Sequence, residues 1–129
     1  MQPSTEFLTP DECAEVDKAL LTSREKFSAR VAIYALRSLK QIAQETGITI
    51  TQLEPYQIED WVYQDESLQT GTDREFRQFF AQLVLASFKP LKQSAQIAGV
   101  SIEALTVAQV IVWFEQQAKL TLGKTNPDR

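Results

Sequence analysis

The sequence predicts an all-α helical bundle, built from a tandem duplicated helix-turn-helix unit that follows an N-terminal helix. Three observations carry this. Residues 27–64 match residues 79–116 without a gap at a shift of 52, with 13 of 38 positions identical. Capping boxes of the form Thr-x-x-Glu begin at Thr9, Thr22 and Thr72, and Gly47 and Gly99 close two of the helical runs. Four glycines and five prolines are too few for the turns of an all-β fold.

The identities include Phe27/Phe79, Leu39/Leu91, Gly47/Gly99, Leu53/Leu105 and Trp61/Trp113. Two copies are too few for a solenoid, so they are expected to close as a pseudo-twofold bundle. A length of 129 residues suits one domain, residues 1–129. Within it the N-terminal helix takes residues 10–22, repeat unit 1 takes 23–64 and repeat unit 2 takes 75–117.

Each element has a local cause. Thr9-Pro10-Asp11-Glu12 opens a short helix reaching about Leu21, with proline at its first position. Thr22 and Thr72 open the long helix of each unit. Glycine, free to adopt a left-handed conformation, ends them at Gly47 and Gly99. Thr49 and Ser101 are then placed to cap a short turn, Ile-x-x-Leu. Glu54-Pro55 and Thr106-Val107 start the two tryptophan helices. Residues 65–71 form a polar loop, and the tail after Leu122 is expected to fray. Val31 to Leu36, and Leu83 to Ala86, are apolar nearly all round, so both segments are expected at the bundle centre. Phe27, Ile33, Leu36, Leu39, Phe79, Leu85, Phe88 and Leu91 form the expected core. Pro90 should kink the second long helix, where Ser38 leaves the first intact.

Composition narrows function. The chain lacks histidine and has one cysteine, Cys13, so disulfides, cysteine-rich zinc sites and histidine-based nucleophile pairs drop out. Its four glycines are too far apart for a phosphate-binding loop. Glu59 and Asp60, adjacent on a helix, point about 100° apart and do not converge on one metal or substrate. A non-enzymatic protein without metal or cofactor is expected. The net charge of −4 counts against a dedicated nucleic-acid binder. No run suits a membrane span, and the first twenty residues lack the basic and apolar regions of a signal peptide. A cytoplasmic protein with a reduced thiol is expected.

Two features bear on partners. Lys26, Arg30, Arg37 and Lys40 lie within about 80° of arc on the first long helix, a candidate anion or nucleic-acid contact. Residues 23–46 and 76–100 each carry +3 while residues 47–75 carry −6, so the stripe also suits ion pairing within the chain. The second feature is a difference between the units. Glu59 and Asp60 of the first correspond to Ile111 and Val112 of the second, away from the centre of the expected core face Val107, Val110, Trp113 and Phe114. Ala108, Ile111 and Val112 are therefore a candidate partner contact, covered either by the N-terminal helix or by another chain.

The run from Leu20 to Ala43, LLTSREKFSARVAIYALRSLKQIA, resembles a family of small, uncharacterised helical proteins of cyanobacterial type. The resemblance implies a photosynthesis-associated, cytoplasmic setting and carries over no site residue. Taken together, the residues point to a helical interaction or assembly protein that binds another protein or a second copy of itself. The alternative is a DNA-binding regulator using the helix-turn-helix-like corner at Gly47 or Gly99.

Overall fold

The computed structural model describes residues 8–65 and 74–125, with side chains described as far as 121. Among the described residues every regular element is helical. The α-helices are α1 (Pro10–Asp17), α2 (Ser23–Thr46), α3 (Pro55–Gln64), α4 (Arg74–Ala86), α5 (Phe88–Ala98) and α6 (Val107–Thr125). Short 3₁₀ turns at Ile50–Gln52 and Ile102–Ala104 precede α3 and α6.

The caps form as expected. Thr9 and Thr22 each accept from the backbone N–H three residues on, and Glu12 and Glu25 reach back to the cap N–H. The box at Thr72 falls outside the described residues. Gln57 and Gln109 close the starts of α3 and α6 by accepting from the N–H groups of Glu54 and Thr106, at 2.8 and 3.0 Å. Thr49 and Ser101 do not cap the 3₁₀ turns; the Thr49 hydroxyl turns to Gln52 Oε1 at 3.0 Å. The first helix is shorter than expected and ends at Asp17, whereas α6 continues through Thr125.

Gly47 and Gly99 both sit at φ 74°, in the left-handed region. An added Cβ at either would meet nothing within 4 Å, so only the backbone conformation resists a side chain. Gly47→Ala should therefore cost about 1 kcal/mol in a chemical denaturation series, with Gly47→Asn milder. A neutral alanine would show that the turn relaxes.

The bundle is organised around one helix. Val31 through Leu36 are all at most 4 % exposed, and every other α-helix packs on α2. The expectation for the second long helix is corrected. Ala86 is exposed, and of α4 only Phe80, Ala81 and Val84 are buried, with Leu83 and Leu85 half-buried and packed against the core. Phe79, matched to Phe27 in the repeat, is 59 % exposed, and Phe27, Leu85 and Phe88 are only partly buried. The expected interruption falls at Ser87, three residues before Pro90. Proline offers no N–H to the Ala86 carbonyl. Ser87 answers by bonding back, its N–H and hydroxyl both donating to the Leu83 carbonyl, at 3.1 and 3.0 Å.

The elements after each break keep a common spacing. The 3₁₀ turns begin at Ile50 and Ile102, and α3 and α6 begin at Pro55 and Val107, each pair 52 residues apart in the sequence. Leu39/Leu91, Ile50/Ile102, Leu53/Leu105 and Ile58/Val110 are buried in both halves. The two corners also meet: Ile50 N donates to Glu103 Oε2 at 2.7 Å, and Lys40 Nζ to the Leu105 carbonyl at 2.6 Å.

Candidate functional site

The basic stripe of α2 is engaged inside the chain. Lys26 Nζ donates to the Asp17 carbonyl at 2.8 Å, and Arg30 Nη2 to Asp17 Oδ1 at 3.3 Å. Arg37 Nη1 donates to Glu12 Oε1 at 2.6 Å, with its guanidinium 5.6 Å from the centre of the Tyr34 ring. Three cations thus fasten α1 along α2, and Lys40 fastens the second corner. Each of the four is thus bonded to a carboxylate or a carbonyl within the chain. Cys13, on the strapped helix, is half-buried. Burial first, then the Asp17 charge, pushes its thiol above the usual range, so the thiolate needed for nucleophilic chemistry is scarce at neutral pH.

A second polar cluster fixes the end of α3. Tyr34 is fully buried and its hydroxyl donates to Asp65 Oδ2. Its ring meets Phe80 edge-on with centroids 5.1 Å apart. Arg77 Nη1 lies 3.0 to 3.2 Å from the carbonyls of Val62, Tyr63 and Asp65, supplying donors that the helix end lacks. Among the described residues no group of three His, Cys, Asp or Glu side chains is arranged to hold a metal ion.

The candidate contact on α6 divides. Ile111 is 6 % exposed and belongs to the core, while Ala108 is exposed and Val112 is 48 % exposed. The inward face of α6 is Val107, Val110, Ile111 and Phe114, an i, i+3, i+4, i+7 pattern. The expected core face is thereby corrected in one member: Ile111 takes the place given to Trp113, which is half-buried and edge-on to Phe114 with centroids 5.0 Å apart. Helix α1 packs against α6, and Glu115 Oε2 accepts from the Leu20 N–H at 3.0 Å. Ile111→Glu should consequently lower stability by several kcal/mol through a buried unpaired charge. Val112→Asp should stay within about 0.5 kcal/mol. Thermal melts of the two single variants check this, and a harmless Ile111→Glu would return that residue to the surface.

A groove that the sequence reading missed lies between the N-terminal half of α2, the α4–α5 break and α6. Its volume is about 330 Å³, and Phe27, Val31, Leu83, Pro90, Trp113 and Phe114 form most of its wall, with Lys89 at the edge. Of its wall, Leu83 and Ala86 share one face of α4 at i, i+3, a pattern that also suits a core helix and so does not reveal a groove in the sequence. No helix among the described residues is long and apolar enough to cross a membrane.

Neither a curated protein nor a solved structure matches the chain. A family model does match, over residues 8–121, which takes in α1 through most of α6. Its description replaces the uncharacterised family of the sequence resemblance. The chain belongs to the family described as NDH complex assembly factor CRR9.

Proposed function

We propose that the protein is a non-enzymatic assembly factor that binds a protein component of the NDH complex while the complex is being built. The observation that carries this reading is the extent of the family match, which covers the whole bundle rather than one motif. The architecture fits it: a rigid helical scaffold fastened by internal ion pairs leaves its chemistry on its surfaces. A cytoplasmic site of action belongs to the same proposal, as does descent of the two units from a duplication. The DNA-binding alternative gains nothing from the geometry. Arg37 and Lys40 are bonded within the chain, and a 3₁₀ turn separates Gly47 from α3 where a recognition helix would follow directly.

The test is removal of the protein from its host, followed by native-gel measurement of assembled NDH complex. Loss of the full complex with accumulation of partial assemblies is the expected result. An undiminished complex would overturn the reading.

A further inference from the structure

We infer that the groove between α2, the α4–α5 break and α6 docks one amphipathic helix of a protein partner, with acidic residues beside its apolar stripe. The inference rests on the reading that this protein works by binding another protein, and it names the surface and the chemistry of that contact.

The apolar wall joins Leu83 and Ala86 of α4 to Phe27, Val31, Trp113 and Phe114. Phe76, Phe79, Leu83 and Ala86 fall within about 80° of arc and extend along roughly 15 Å of helix. Phe76 is 38 % and Phe79 59 % exposed, and Leu83 and Ala86 continue into the groove wall. Phe76 stacks on Phe80, which leaves Phe79 as the open aromatic on the helix face that leads to Leu83 and Ala86. An exposed aromatic in line with a concave apolar wall is the form of a helix-binding groove, into which an i, i+3, i+4, i+7 stripe fits.

Charge selects the occupant. The whole chain carries −4, yet no carboxylate is among the groove-lining residues. Lys89 lines the edge and is exposed. Arg24 is exposed and lies one turn before Phe27 and Ser28, on the same face of α2. Neither cation makes an ion pair among the described residues. Two uncompensated cations flanking an apolar groove are complementary to carboxylates on the flanks of a bound helix. A second copy fits less well, because a twofold contact through this groove would set like charges against each other.

The probe is a labelled synthetic helix of about 14 residues, with leucines on one stripe and glutamates beside it, and a twin with lysines in place of the glutamates. Fluorescence anisotropy with the full chain should show the acidic helix binding at least about tenfold tighter than its twin. Ala86→Glu, at an exposed position, should weaken it by more than about tenfold while the melting curve stays unchanged. Lys89→Glu should narrow or reverse the preference between the two helices. Equal binding of both helices, binding indifferent to Ala86→Glu, or a wild-type dimer that Ala86→Glu splits would each overturn the inference. So would binding to anionic lipid vesicles without binding to the acidic helix. A host carrying Ala86→Glu separates the two claims. Full NDH assembly in that host, beside loss of assembly without the protein, defeats the groove and leaves the assembly role standing.

Discussion

Replacing Leu36 by alanine should lower folding stability by roughly 2–5 kcal/mol. Leu36 is 2 % exposed on the one helix that all the others touch, so its methyl groups are lost from a site with neighbours on every side. Cores of this kind collapse only partly around a deleted group, and the residual cavity adds to the lost transfer energy. A urea titration measures it as a lower midpoint with an unchanged slope. Phe79→Ala is the contrast: at 59 % exposure it should cost less than about 1 kcal/mol despite removing a larger side chain. Equal costs at the two positions would contradict the central place given to α2.

Above pH 10 the protein should lose stability by up to about 1.4 kcal/mol per pH unit through Tyr34 alone. The folded state raises this phenol above its usual value of 10.0, by burial first and then by the hydrogen bond to Asp65 and the Asp65 charge. The sign follows from which state keeps the proton. Between pH 10 and 12 the unfolded chain releases it and the folded chain retains it, so alkali favours unfolding. The stabilisation is complete below pH 10 and declines as the pH rises toward the folded value. Tyr34→Phe removes the titrating group. Denaturation midpoints at pH 9 and pH 11.5 should therefore fall further for the wild type than for the variant. Parallel declines would remove Tyr34 as the cause. At neutral pH the variant should lose about 1 kcal/mol with the hydroxyl bond to Asp65.

How far the sequence could be read differs by element, for physical reasons. Thr9, Thr22, Gly47 and Gly99 act over three or four residues, so their roles as helix ends were visible locally. The centrality of α2 was visible because its apolar run is long enough to cover every side of a helix. The run Leu83 to Ala86 makes barely one turn, and its burial depends on which helices lie alongside. Phe79 shows the limit of the repeat as a guide. It shares its identity with Phe27, but identity carries no information about what packs on it: Phe27 lines a wall with Trp113 and Phe114, whereas Phe79 is 59 % exposed. On α6 the expected face Val107, Val110, Trp113 and Phe114 differs from the inward one by one residue, Ile111 in place of Trp113, because repeated steps of three drift off a face of period 3.6. The groove draws on four helices, α2, α4, α5 and α6, so no single stretch of sequence displays it.

The position of α2 at the centre also governs how the chain emerges from the ribosome. Its last residue, Thr46, is synthesised 61 residues before α6 begins at Val107. At about 5–20 residues per second that interval is roughly 3–12 s. Throughout it, the strip of α2 destined for α6 faces water or whatever else binds apolar helices. α1, α3, α4 and α5 are all synthesised before α6 begins, and none of them covers that strip. The nascent chain thus passes through an interval of exposed apolar surface, ended only when α6 arrives.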